Sequence, residues 1–387
     1  MKKILVGLSG GVDSAVSALL LKEQGYDVSC GFMINYLDEN NPGTCPTLVD
    51  LEEAKKVAEF LKLPFFTFDY REEYEKRIVN YIYEEYAKGR TPNPDVFCNN
   101  LVKFDLFLEE ALSLGFDGIA TGHYARIMKN SKGKTQNDDT NNLESGILNL
   151  ELHKGIDPNK DQSYFLSRLS PFQLGHALFP IGHLMKSKVR EIAIKAGLPN
   201  AERKDSQGLC FIGKVSMKEF LEKKLEKKPG DILDTSGKVL GEHEGAFSYT
   251  IGQRKGIKVG GGPALFVVAK DTKNNTITVG TEANLTLFSS LCTLTDYIGT
   301  KPKEGKKYGA KIRYRQDDQE CTCHCEERSD PEFLKKQSMD CRVDFSQEQK
   351  NLLAMTIKFT SLQRAITSGQ ICVIYDGERV AGSGIIL

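Results

Sequence analysis

The run Ser9-Gly10-Gly11-Val12-Asp13-Ser14 stands between an apolar stretch, Ile4 to Leu8, and a helical pattern beginning near Asp13. Adjacent glycines let successive backbone N–H groups converge on an anion, the helix start adds its positive dipole end, and Ser9 and Ser14 add hydroxyl donors. Such a loop holds phosphates. It lacks the Gly-Lys-Ser/Thr ending of a Walker A loop, so cleavage between the α and β phosphates fits it better than transfer of a γ-phosphate. The bland alternative is a glycine-rich turn with Asp at the helix start, but the strand and helix on either side favour the phosphate reading.

Two cysteines offer a second chemistry. Cys98 follows the double-proline turn Thr91-Pro92-Asn93-Pro94-Asp95 and precedes a helix containing Lys103 and Phe104. Near a helix N-terminus its thiolate is expected to be favoured and its pKa lowered. Cys210 lies in the glycine-flanked segment Lys204-Asp205-Ser206-Gln207-Gly208-Leu209-Cys210-Phe211-Ile212-Gly213, beside Arg203. Taken alone, either cysteine reads as core filler. Cys321, Cys323, His324 and Cys325 are closer together than the pairs of a structural zinc knuckle, which stand about two to four residues apart. They are expected in an inserted surface loop, and no metal ligand set is assigned.

The elements that must position these groups follow from periodicity. Over residues 2–124, β-rich runs (Lys3 to Leu8, Tyr26 to Ile34, Phe65 to Phe68, Gly118 to Thr121) alternate with helical patterns, which predicts an α/β fold with a parallel sheet covered by helices. Ala15, Val16, Leu19 and Leu20 mark the first helix, stopped at Gly25; Leu51 to Leu61 mark a second, ended by Pro64; Leu101 to Leu112 mark a third, ended by Gly115. Asn130 to Ser145 is a polar loop, and Lys223 to Pro229 a charged linker. From Gly230 onward short alternating runs predict small β domains or a barrel. Lys311, Arg313 and Arg315 alternate along a predicted strand, which would put them on one face.

Composition narrows the partners. At about 150 residues per domain, 387 residues make two to three domains. Lys plus Arg (52) equals Asp plus Glu (52), so a surface for nucleic acid must be local. No apolar run approaches the roughly 18 residues of a membrane span, and the N-terminal run is too short for a signal peptide. Ten cysteines without regular spacing suit a reducing compartment, so the expected location is cytoplasmic, away from membranes.

In chain order, SGGVDS, TPNPDVFCN, TGHYAR, KDQSYFL, KDSQGLCFIG, YTIGQRKG and KIRYRQ resemble the motif set of tRNA-specific 2-thiouridylases, and the first loop resembles that of N-type ATP pyrophosphatases. The resemblance implies a Rossmann-like adenylation domain (1–222), a small central β-rich domain (223–283) and a C-terminal β-barrel (284–387), acting on the wobble uridine of tRNAs for Lys, Glu and Gln. It implies that Gly7, Leu8, Ser9, Gly10, Gly11, Val12, Asp13, Ser14 and Met33 contact ATP, accompanied by Mg2+, with Gly122 close to the nucleotide. Asn93, Pro94 and Asp95 would meet the target base, Asp95 as acid/base group. Cys210 would carry a persulfide received from a cysteine desulfurase or sulfur relay protein, and Cys98 would attack it. His123, Lys160, Asp161, Gln162, Arg313, Tyr314 and Gln370 would contact tRNA. The alternatives are another ATP pyrophosphatase, such as an amide-forming ligase, and a catalytically silent tRNA-binding protein.

The loop chemistry yields the first prediction. Turnover is expected to release AMP and pyrophosphate, read by chromatography of labelled nucleotide; ADP and phosphate would refute the loop reading. Asp13→Ala is expected to depress nucleotide use strongly.

Overall fold

The computed structural model describes residues 1–37, 45–130, 150–204, 217–260, 262–326 and 354–387. Cys210 and nearly all of the polar 130–145 stretch lie outside the described residues. The chain divides into two compact units: Met1–Tyr81, Pro94–Ser216 and Glu378–Val380 in the first, and Ile82–Asn93, Met217–Gly377 and Ala381–Leu387 in the second.

In the first unit, β1 (Lys3–Gly7), β2 (Asp27–Ile34), β3 (Phe65–Asp69) and β4 (Gly118–Ala120) are parallel strands. An antiparallel pair, β5 (Ala125–Lys129) and β6 (Leu150–Lys154), follows, and β7 (Ala177–Leu178) completes a five-stranded sheet in the order β3-β2-β1-β4-β7. The central strands are apolar on both faces because helices cover both. Val12–Glu23 and Pro46–Leu61 place Ala15, Val16, Leu19, Ala54, Val57 and Leu61 in one core with Ile4, Val6 and Val28. Gly25 and Gly115 take the left-handed conformation (φ +83° and +82°) that releases the chain after a helix. The second helix stops three residues before Pro64, at Leu61, because Lys62 itself turns left-handed (φ +52°). The third begins earlier than its apolar pattern indicates, at Pro94, and runs through a π-helical stretch, Asn99–Leu106, into Phe107–Ser113. Strand order reverses between β1 and β4, and in open parallel sheets ligands bind in the crevice outside the strands' carboxyl ends at such a reversal.

In the second unit, β8 (Gly230–Leu233), β9 (Val239–His243), β10 (Leu265–Asp271) and β11 (Thr276–Thr281) form a four-stranded sheet. Its small core holds Ile232, Ala246, Tyr249, Val267, Ile277 and Val279. Six further strands follow: β12 (Phe288–Gly299), β13 (Lys307–Lys311), β14 (Gln319–Glu326), β15 (Ala354–Arg364), β16 (Ile371–Asp376) and β17 (Arg379–Ile386). They run in the order β12-β15-β14-β13-β16-β17 and close into a barrel where Leu294 of β12 pairs with Ile386 of β17. Closure leaves no unpaired strand edge within it. The Rossmann-like sheet, small β domain and barrel are those expected from sequence.

Two local expectations are corrected. Lys311, Arg313 and Arg315 do not share a strand face, because β13 ends at Lys311. The Ile312 N–H donates to Gln316 Oε1 (3.0 Å) and the Gln316 N–H to the Arg313 carbonyl (3.2 Å), so a turn consumes the backbone groups a strand would need. Cys321 to Cys325 is not a surface loop but part of β14, with Cys321 and Cys323 buried in the barrel core and His324 facing out. Strand alternation with small apolar thiols pointing inward explains the spacing.

Cys323→Ser, which buries a hydroxyl in place of a thiol, is expected to cost about 1–3 kcal/mol in denaturant unfolding. Cys325→Ser, at a half-buried position, is expected to cost far less. Equal costs would contradict the inward placement.

Candidate active site

The crevice outside β1 and β4 is built by close backbone contact. Ser14 Oγ donates to the Gly11 carbonyl (3.0 Å) and accepts from the Ser9 N–H (3.2 Å), which folds the loop over the start of its helix. Gly122, two residues past β4, lies against that helix start: a Cβ there would sit 2.6 Å from the Ser14 nitrogen and 2.7 Å from the Asp13 carbonyl carbon. Gly10 is left-handed (φ +74°), and a Cβ on it would come within 2.7 Å of the Arg203 guanidinium. Its carbonyl accepts from Asn200 Nδ2 (2.8 Å) and Arg203 Nη1 (2.9 Å), while Arg203 Nη2 binds Asp50. Burial lifts the Asp50 carboxyl above its usual range despite the opposing pull of Arg203. Met33 is buried at the end of β2, its methyl 3.5 Å from where a Gly7 Cβ would stand.

Asp13 lies in the first turn of the helix. Its two oxygens accept from Lys186 Nζ at 2.7 and 2.8 Å, and Oδ1 also accepts from Tyr124 Oη at 2.7 Å. Backbone cradle, hydroxyls, ammonium and carboxylate together suit a polyphosphate carrying a divalent ion; a side chain on Gly10 would strike Asp50 and Arg203, and one on Gly122 would strike the helix start. Lys186, Arg203, Asn200 and Asp50 were not singled out from sequence as parts of this site. Tyr124, within Thr121-Gly122-His123-Tyr124-Ala125-Arg126, carried a signal, but nothing local sets Lys186 apart from a solvated lysine.

Asp95 and Cys98 sit one turn apart on Pro94–Cys98, with proline opening the helix. The lowered pKa expected for Cys98 is corrected. The thiol is 1% exposed, and burial pushes it up to about 12, opposed by Lys103 and reinforced by Asp95. The helix starts four residues before Cys98, so its positive end falls at Pro94 and Asp95, and desolvation outweighs the dipole. The helix continues as a π-helix, a form that often occurs at functional sites, and Asn100 Nδ2 anchors it to the Arg168 carbonyl (3.0 Å). Phe107, in the same run, packs 3.4 Å from where a Gly7 Cβ would stand.

The residues expected on tRNA are placed in different settings. His123 is buried between Phe104 and Phe179, with Nδ1 2.7 Å from Thr121 Oγ1. Burial holds its pKa well below the usual imidazole value, so it is neutral. Asp161 accepts from the Gly155 and Ser163 N–H groups (3.0 and 3.1 Å), and Gln162 Oε1 from the Tyr124 N–H (3.0 Å). Asp161 thus orders its own loop and Gln162 ties that loop to Tyr124, while Lys160 is half-buried. In the second unit Gln370 Nε2 donates to the Thr91 and Pro92 carbonyls (2.8 and 3.2 Å), just before Asn93. Arg313 and Gln370 line one cavity of about 420 Å³ with Thr250, Gly252 and Gln253 of the Tyr249–Gly256 motif. Tyr314 is half-buried beside them in sequence.

Family models for the tRNA methyl transferase HUP domain, the tRNA methyl transferase PRC-barrel domain and the aminomethyltransferase beta-barrel domain match residues 2–214, 218–281 and 332–386. A tRNA-specific 2-thiouridylase of Alkaliphilus oremlandii is 41% identical, covering 99% of this chain and 96% of its own. One of Geobacillus kaustophilus is 42% identical, covering 100% of this chain and 95% of its own. A solved structure of a predicted tRNA methyltransferase subunit from Methanocaldococcus jannaschii overlaps 50% of this chain and 75% of that one at 15% identity and a TM-score of 0.28, too slight to argue from. Matches at this identity over the whole length, joined to the loop, turn and cysteine motifs in order, make the chain a member of the tRNA-specific 2-thiouridylase family.

Proposed function

We propose that the chain is a tRNA uridine 2-sulfurtransferase that converts the wobble uridine of tRNAs for Lys, Glu and Gln to 2-thiouridine, releasing AMP and pyrophosphate. The observation that carries this reading is end-to-end similarity to tRNA-specific 2-thiouridylases at 41–42% identity. The adenylation domain is assigned to 1–222, the central domain to 223–283 and the barrel to 284–387. No described helix is long and apolar enough to cross a membrane, and a cytoplasmic location suits an enzyme of tRNA.

The C2 oxygen of uridine is a poor leaving group, so the oxygen first attacks the α-phosphate of ATP bound on Gly7 to Ser14, with Met33 and Gly122 beside it. Pyrophosphate departs, leaving C2 attached through oxygen to AMP, a good leaving group. A divalent ion bound with ATP would be held by Asp13 and would neutralise charge on the departing pyrophosphate. Asn93, Pro94 and Asp95 present the base. Cys210 carries a persulfide obtained from a cysteine desulfurase or sulfur relay protein, and its terminal sulfur attacks C2 as AMP leaves. Cys98 then attacks the inner sulfur of Cys210, freeing the thiocarbonyl and forming a Cys98–Cys210 disulfide that a cellular thiol reduces. Asp95, one turn before Cys98, is the base suited to take the proton of a thiol that burial keeps neutral. His123, Lys160, Asp161 and Gln162 of the first unit, and Arg313, Tyr314 and Gln370 of the second, are each assigned to tRNA contact.

Mass spectrometry of nucleosides from tRNA incubated with protein, ATP and a persulfide donor tests the reaction: a 2-thiouridine peak is expected, and its absence refutes it. The cysteines are expected to be non-interchangeable. Cys210→Ser should accept no labelled sulfur, whereas Cys98→Ser should load sulfur without releasing thiouridine; the opposite pattern would reverse their roles. In the protein without tRNA, iodoacetamide at pH 8 is expected to label Cys98 at least about a hundredfold more slowly than free cysteine, because burial keeps the thiol protonated.

A further inference from the structure

The ion pair of Asp13 with Lys186 is unusual in where its cation starts. Lys186 is the first residue of the helix Lys186–Lys195, after Met185, so its charge stands at the helix end where a cation is disfavoured. Its main-chain N–H is taken by Asp157 Oδ2 (2.9 Å), while its ammonium reaches to the phosphate loop and binds both oxygens of Asp13. Tyr124 supplies a third donor to the same carboxylate, and the ammonium lies 5.9 Å from that tyrosine's ring centroid. The side chains are 14% and 28% exposed, so the pair sits at the rim of the loop, within reach of solvent. A loop that takes a polyphosphate with a divalent ion must meet one positive and one negative newcomer. Asp13 and Lys186, already paired with each other at the helix start, are a carboxylate and an ammonium placed to answer them. A lysine suits an exchange because its charge is compact and its four-carbon stem is flexible.

We propose that Lys186 is a placeholder for the divalent ion. With the loop empty of ligand, its ammonium compensates Asp13; when metal and polyphosphate enter together, Asp13 turns to the metal and the ammonium swings to a phosphate oxygen. No charge at the rim is left uncompensated in either arrangement. The consequence is synergy: metal alone competes with the ammonium, polyphosphate alone competes with the carboxylate, and each relieves the other's competitor. This inference rests on the ATP-binding reading of the loop, but it concerns binding and not sulfur transfer.

The experiment measures binding to the full chain, Mn2+ by electron paramagnetic resonance and ATP by calorimetry, each alone and together. Lys186→Met is expected to bind Mn2+ alone about tenfold or more tightly than the parent, and Mn2+-ATP about tenfold or more weakly. Asp13→Asn, which frees the ammonium, is expected to bind metal-free ATP more tightly than the parent while losing the synergy. Unchanged Mn2+ affinity in Lys186→Met, or unchanged metal-free ATP affinity in Asp13→Asn, would overturn the proposal and leave the pair a fixed staple between loop and helix. Should Lys186→Met fail to fold by circular dichroism, Asp13→Asn carries the same decision. A parent that binds no ATP would instead refute the functional reading beneath it.

Discussion

The constraint on which the first unit depends is the approach of backbone to backbone between the end of β4 and the start of the first helix. Gly122 and Ser14 are so close that any side chain at 122 would force the two segments apart. Parallel strands bring both segments to the same edge, and the reversal of strand order opens the space between them. The loop is pinned a second time from outside, where Asn200 and Arg203 bond the Gly10 carbonyl and Arg203 reaches Asp50. With its far side fixed in this way, the loop presents its remaining N–H groups without reorganising them, the condition under which fixed dipoles stabilise developing charge most.

Arg203 also immediately precedes the segment that carries Cys210. Covalent continuity therefore places the residue clamping the phosphate loop seven residues from the cysteine assigned to carry sulfur. An enzyme that must not spend ATP without sulfur in hand, nor release sulfur without an activated base, gains from having those two functions on adjoining stretches of chain.

Burial governs the thiols. Of the eight described cysteines seven are buried and Cys325 is half-buried. Burial raises the pKa of Cys30 to about 12, which withholds the thiolate that attack and exchange require; Cys98 is raised as far, but unlike Cys30 it has Asp95 one turn away on its own helix as the base proposed to take its proton. Cys292, Cys321, Cys323 and Cys372 serve the barrel as small apolar side chains, packed with Leu294, Ile357 and Phe359. A protein that handles persulfides thus keeps spare thiols where sulfur cannot reach them.

How much of this was legible in the sequence follows from the range of each interaction. Strand and helix periods, the glycine-rich loop between β1 and its helix, and the helix stops at Gly25 and Gly115 are local, and local spacing determined them. Its place past the double-proline turn marked Cys98, and the resemblance in motif order marked Gly122, Asp95 and Arg313. The sequence could not show that Lys186 is the partner of Asp13 or Asn200 of Gly10, since 173 and 190 residues separate them. Nor could it show that Cys98 is buried, that Cys321 and Cys323 face the barrel interior, or that Gln316 turns the chain after Lys311. Desolvation and charge pairing are set by whatever packs around a group, and only the tertiary structure decides which distant residues those are.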